Sequence, residues 1–142
     1  MSNIWLVVAD QTRARIFEVD RSQNELSEIE DLVNPDARLH ERDLVSDDKG
    51  RAYDSFGTGR HAMENRVSAK HQNVVDFVGR INEKLLLELN ARKYNKLYLM
   101  AAPELLGILR DKLDPHIQKV VAAEIHKSMT RHSISDIAQH LP

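Results

Sequence analysis

The chain contains no cysteine, which excludes disulfides, thiolate metal sites and a cysteine nucleophile without singling out a redox compartment. An excess of charge is lacking too: 20 Lys and Arg stand against 22 Asp and Glu, a formal net charge of −2. Nothing global announces a nucleic-acid or membrane partner, and an anionic partner must be met by a local patch. Long hydrophobic runs are missing. The longest near the N-terminus, Ile4 to Ala9, is cut by Asp10, and no basic residue precedes it as a signal peptide requires. No window approaches the roughly 18 apolar residues of a membrane span, so a cytoplasmic protein with no membrane insertion is the expectation. No internal repeat is present.

What is there suits one soluble domain spanning residues 1–142, with 42% hydrophobic and 30% charged residues. Ile4-Trp-Leu-Val-Val-Ala9 is apolar at odd and even positions alike, as a strand covered on both faces is, and belongs at the centre of a sheet. Asp10 to Arg13 is a polar break before a second strand, Ala14 to Val19, and Asp20 to Asn24 forms the next turn. A third strand runs from about Glu25 to Val33, its imperfect alternation suggests a bulge or twist, and Asn34-Pro35 stops it.

From Pro35 to Arg66 the chain is rich in Asp, Arg, His and Gly, which reads as a long mobile loop. Ser68 then caps a helix whose Val74, Val78, Ile81, Leu85 and Leu89 recur at helical spacing. Lys96 to Ala102 is a fourth strand, and Pro103-Glu104 opens a helix that Asp114-Pro115 ends. Lys119 to His126 is a last strand, and Ser133 with Asp136 caps a short closing helix. The order βββ, loop, αβαβα predicts an α/β domain with a mixed sheet of about five strands and helices packed on it.

The stretch from Lys49 to Lys70 carries the local charge. Lys49, Arg51, Arg60, Arg66 and Lys70 stand against Asp54 and Glu64, a balance of +3. Gly57 and Gly59 permit positive φ and close approach of a backbone or phosphate, while Arg60 offers bidentate donors. An RNA-contacting tip and a solvated connector are the two readings of this stretch. Its Gly-Thr-Gly is not a dinucleotide fingerprint, so no cofactor is implied.

Other chemistry is weakly signalled. Asp10, just past the central strand, is read as a turn carboxylate bonded to backbone amides, since no second strand-end carboxylate joins it for metal-assisted catalysis. Glu124 with His126 is an edge feature before it is a metal pair, and His61 and His71 have no ligand spacing. No Gly-x-Ser-x-Gly elbow exists, and Ser55 has no identifiable base. No catalytic or metal-binding residue is assigned.

Val7-Val-Ala-Asp10, Ala14-Arg-Ile-Phe17, Asp31-Leu-Val-Asn-Pro35, Arg42-Asp-Leu-Val-Ser-Asp47, Gly57-Thr-Gly-Arg-His-Ala62, Ala102-Pro103 and Leu105-Leu-Gly-Ile-Leu109 together resemble the bacterial host-attachment protein family over nearly the whole chain. The layout is also similar to the middle domain of the archaeal and eukaryotic peptide-chain release factors and pelota. That second resemblance implies a ribonuclease H-like architecture and a Gly-Gly-Gln loop before the long helix. Gly59 matches its first glycine, whereas Arg60 replaces the second and His61 the glutamine, which weakens any peptidyl-tRNA hydrolysis.

The expectation that follows is a non-catalytic, release-factor-like module that meets a ribosome or tRNA through Lys49, Arg51, Gly57, Gly59, Arg60, His61, Arg66 and Lys70. A protein-interaction factor in host-cell attachment is the alternative. A hydrolase using the Gly59-Arg60-His61 loop or Asp10 is the third reading.

Overall fold

The computed structural model describes residues 3–35 and 58–142, with side chains of the long helix described from residue 69 onward. Strand β1 (Ile4–Ala9) is buried along its whole length. It lies at the centre of a five-stranded sheet of order β3-β2-β1-β4-β5, as its double-sided apolarity requires. Strand β2 (Arg13–Asp20) pairs antiparallel with β1, placing Leu6 beside Phe17. Strand β3 (Glu25–Val33) pairs antiparallel with β2 and forms one edge. The turn between them places Asn24 at φ 53°, a left-handed conformation that Asn tolerates, while Asp20 accepts a hydrogen bond from the amide of Ser22.

The imperfect alternation of β3, which suggests a bulge or twist, is a bulge. Ile16 pairs with Glu30 but Phe17 pairs with Glu28, so Ile29 is the extra residue of a bulge.

Helix α1 (Thr58–Asn90) is longer than the sequence predicts. It begins ten residues before Ser68, so Gly59, Arg60, His61 and Arg66 belong to its first turns rather than to a loop preceding it. The physical reason is propagation. No proline lies between Pro35 and Pro103, and Ala62, Met63, Glu64 and Arg66 are good helix formers. Extending a helix nucleated by a packed stripe adds one hydrogen bond per residue fixed. The other part of the expected loop, residues 36–57, with Lys49, Arg51, Ser55 and Gly57, lies outside the described residues.

Helix α1 ends in a Schellman turn, in which Arg92 at φ 61° lets the amide of Lys93 reach the carbonyl of Glu88 and its own amide that of Leu89.

Strand β4 (Lys96–Met100) runs parallel to β1. Helix α2 (Pro103–Lys112) follows, with proline in its first turn, Glu104 at its positive end, and Arg110 and Lys112 at its negative end. A short helix α3 (Pro115–Val120) then precedes strand β5 (Val121–Ile125), so the last strand begins two residues later than Lys119. Asp114 caps α3 through the amide of His116. Strand β5 is parallel to β4. Helix α4 (Ile134–Ala138) closes the chain, capped by the Ser133 hydroxyl, which accepts from the amide of Asp136 at 3.2 Å.

Two cores sandwich the sheet. Trp5, Val7 and Ala9 of β1 pack on Phe77, Val78, Ile81 and Leu85 of α1, on Leu105, Leu106 and Leu109 of α2, and on Ile117 of α3. Trp5 stacks on Tyr94 with ring centroids 4.7 Å apart. On the opposite face, Ile4, Leu6, Val8, Phe17, Tyr98 and Met100 are covered by Met129 and by Ile137 of α4. Each fully buried large side chain contributes about 1.5 to 3 kcal/mol of apolar burial, and both faces of β1 draw on it. The carboxyl ends of β1 and β4 consequently emerge together between α1, α2 and the segment after β5.

Candidate functional site

Two cavities adjoin at those strand ends. One, of about 450 Å³, is lined by residues of the β1–β2 turn (Asp10, Gln11, Thr12), of the start of α2 (Ala102, Glu104, Leu105) and of the segment after β5 (Ser128, Thr130, Arg131, His132). The other, of about 540 Å³, lies between α1 and α2 against Lys70, His71, Val74 and Ile108. Gln11, Glu104 and Leu105 line both, so the two form one groove with a shared wall. Its position outside the carboxyl ends of parallel strands is where open α/β sheets commonly bind ligands.

Asp10 is built into the end of β1. Its Oδ1 accepts from the amide and hydroxyl of Thr12, both at 2.7 Å, and from the amide of Arg13 at 2.9 Å, while Oδ2 accepts from the hydroxyl of Thr130. Burial pushes this carboxyl up, but the bonds from Thr130, Thr12 and Arg13 outweigh it and hold it below the ordinary carboxylate range. Asp10 is therefore an ionised turn anchor, as the sequence suggests, and ties the β1–β2 turn to the segment after β5.

A second tie holds the same segment. Arg15, only 9% exposed, donates through Nη1 to the carbonyls of Thr130 at 3.0 Å and His132 at 2.9 Å. Its Nε and Nη2 fork onto Glu28 and its guanidinium lies 5.0 Å from the Phe17 ring centroid. With the carbonyls on either side of it directed at Arg15, Arg131 stays exposed on the groove wall.

The opposite side of the turn is fixed by Asn34, which is fully buried. Its Nδ2 donates to the carbonyl of Gln11 at 3.0 Å and to Oδ1 of Asn73 at 2.9 Å, and its Oδ1 accepts from Arg80 at 3.1 Å. The end of β3, the Gln11 turn and α1 are thus locked together by a satisfied polar cluster.

Of the residues singled out in the sequence, the structure brings Lys70 to the groove, exposed on α1 beside His71. Gly59, Arg60, His61 and Arg66 lie further toward the N-terminus of α1. Glu124 is held by Arg110, whose Nε and Nη2 approach it to between 2.7 and 2.9 Å, and this pairing keeps its carboxyl below the usual range. His126 is exposed just beyond β5. Among the described residues, no three His, Asp or Glu converge on a metal position.

The groove residues that the sequence did not yield are Gln11, Glu104, Ser128, Arg131 and His132. They come from three separate segments, and only the parallel pairing of β1, β4 and β5 assembles them. The one local signal was the Ala102-Pro103 helix start beside a strand end.

No helix among the described residues is long and apolar enough to cross a membrane. In comparison with known proteins, residues 5–141 match the model of the family described as proteins required for attachment to host cells. An uncharacterized protein of Rickettsia prowazekii (strain Madrid E) is 33% identical over 102 residues, which cover 70% of this chain and 67% of the rickettsial one. The match along almost the full length of the sandwich places this chain in the family of proteins required for attachment to host cells.

Proposed function

We propose that this family member is a binding protein whose part in attachment runs through a protein partner held in the groove at the carboxyl ends of β1 and β4. The observation that carries this reading is the composition of the groove. An apolar floor of Val74, Leu105 and Ile108 lies beside polar walls bearing Lys70, Glu104, Arg131 and His132, the arrangement of an apolar centre with a polar rim that protein recognition uses. The carboxylate at the end of β1, Asp10, is engaged by four hydrogen bonds that hold the turn together, a structural duty that sets it apart from a poised acid or base.

Complementation tests this. In cells lacking the chain, Arg131→Glu and Gln11→Ala should fail to restore attachment while leaving the melting temperature unchanged, whereas Lys93→Glu, at the opposite end of α1, should restore it. The release-factor-like reading, with RNA contacted by the basic residues early in α1, gives the reverse pattern. Under it, Arg60→Glu with Arg66→Glu abolishes salt-sensitive co-sedimentation with ribosomes and the phenotype together, and the groove variants are silent.

A further inference from the structure

We infer that the groove takes an extended acidic peptide, a partner segment that seats one apolar side chain against Val74, Leu105 and Ile108 and sets an Asp or Glu side chain on Arg131. This rests on the groove being the binding surface and names the chemistry of what fills it.

The first support is the mounting of Arg131. The residues on either side of it are fixed by the buried Arg15 guanidinium through the carbonyls of Thr130 and His132, and Thr130 is fixed again by Asp10. Arg131 is thus an exposed cation on a rigid base, and a guanidinium presents a planar fork suited to a carboxylate. Holding its backbone in advance lowers the ordering cost of binding.

The second support is the division of chemistry along the groove. The cavity between α1 and α2 has the apolar contacts, the cavity at the strand ends has Ser128, Arg131 and His132 beside Asp10, whose oxygens are already engaged, and Gln11 and Glu104 stand in the wall they share. A ligand filling both needs an apolar group, then a neutral hydrogen-bonding stretch opposite Gln11 and Glu104, then an anion. An extended peptide supplies these in sequence, its main-chain N–H groups facing Glu104 and its side chains two residues apart lying on one face. The start of α2 adds donors near the anionic end. Ala102 provides no side-chain cap, so the amides of Glu104 and Leu105 have no acceptor within the helix.

A nucleic acid fits this surface poorly. Asp10 and Glu104 line the same cavity as Arg131, so a phosphate backbone of continuous negative charge would meet both carboxylates, whereas a peptide brings one carboxylate to Arg131 with neutral residues on either side of it, and the oxygens of Asp10 are already engaged by Thr12, Arg13 and Thr130.

The test uses the full chain and synthetic peptides of about ten residues, built of Gly and Ser with one Leu and one Glu set one, two or three residues apart, together with counterparts carrying Gln or Lys in place of Glu. Fluorescence anisotropy gives affinity, and amide chemical shifts locate the site. The expected result is binding about tenfold tighter for the best Glu peptide than for its Gln counterpart, a difference of one hydrogen-bonded charge pair. Shifts should centre on Gln11, Leu105 and Ser128.

Arg131→Glu should invert the preference toward the Lys peptide, a readout that a merely damaged fold cannot produce. Equal affinity for Glu and Gln peptides, with the groove amides still shifting, would overturn the acidic specificity and leave the groove reading standing. Groove amides that respond to no peptide would overturn both. An oligouridylate that shifts them more than any peptide would replace the peptide with a nucleic acid.

Discussion

Arg15 and Glu28 meet side by side across β2 and β3, with Nε to Oε1 at 2.8 Å and Nη2 to Oε2 at 3.1 Å. Glu30, two residues further along β3, reaches the other face of the sheet and pairs with Lys84 of α1 at 3.4 Å. In a regular strand, residues two apart share a face. The extra residue Ile29 reverses the parity, so the bulge sends one glutamate to each side of the sheet. One bulge therefore serves two ends, the mount of the groove wall and the seating of α1.

Removing the Arg15 side chain should be costly although it does not line the groove. Arg15→Ala leaves Glu28 without its partner and the carbonyls of Thr130 and His132 without a donor. We expect a loss of about 3 kcal/mol in chemical denaturation, the low end for a broken buried pair because the Glu28 side chain keeps 27% of its surface exposed. Arg131→Ala, on the surface, should stay within about 0.5 kcal/mol of the parent. Equal costs for the two would remove the distinction between mount and mounted residue.

The bulge itself can be tested by contrasting substitution with deletion. Ile29 is 41% exposed, so Ile29→Ser should cost no more than about 1 kcal/mol. Deleting Ile29 restores a regular ladder and turns one part of β3 over. It then misplaces either Leu26 and Glu28 or Glu30 and Leu32, and should lower the denaturation midpoint far more than the substitution does. A deletion no worse than Ile29→Ser would show that the register is not fixed by this residue.

Acid should weaken the protein through Asp10. Its carboxyl titrates lower in the fold than in the unfolded chain, so its contribution is full above the unfolded value of about 3.9 and is lost as pH falls through the folded value. Glu28, held low by Arg15, and Glu124, held low by Arg110, act in the same direction. Unfolding free energy should therefore fall as pH drops below about 4. Asp10→Asn should be less stable by about 1 to 2 kcal/mol at neutral pH and should show a shallower acid limb. Parallel curves for parent and variant would mean that Asp10 is not a linked group.

Particular residues show why some of this was legible in the sequence and some was not. The central place of β1 follows from apolar residues of both parities between Ile4 and Ala9, and Leu26, Ile29 and Leu32 failing to alternate announces a bulge or twist, which the register shows to be a bulge. The role of Asp10 as a turn anchor follows from its place between a strand and a polar break. The early start of α1 did not follow, because Thr58 to Arg66 has a glycine and no apolar stripe. Helix α3 was hidden in the Asp114-Pro115 pair, which stops α2 and also caps and opens the next helix. The groove was illegible because Gln11, Glu104 and Arg131 share no sequence spacing and meet only through strand order.

Glycine substitutions test the helices, including the start of α1. Gly79 in α1 and Gly107 in α2 are both interior to their helices, and a Cβ added at either meets nothing within 4 Å. Alanine at each position removes the excess backbone freedom of the unfolded chain without creating a clash, so Gly79→Ala and Gly107→Ala should each stabilise by about 0.5 to 1 kcal/mol. Gly59 is the informative comparison. As a loop residue chosen for positive φ it would resist alanine and lose stability, whereas in the first turn of α1 its backbone is helical, a conformation that alanine favours over glycine. Thermal and chemical denaturation of Gly59→Ala should therefore show no loss, with a small gain of the same sign as at the two interior glycines. A loss above about 1 kcal/mol at Gly59 alone would return the Gly59-Arg60-His61 stretch to a strained loop and restore the ground for reading it as the working tip of the molecule.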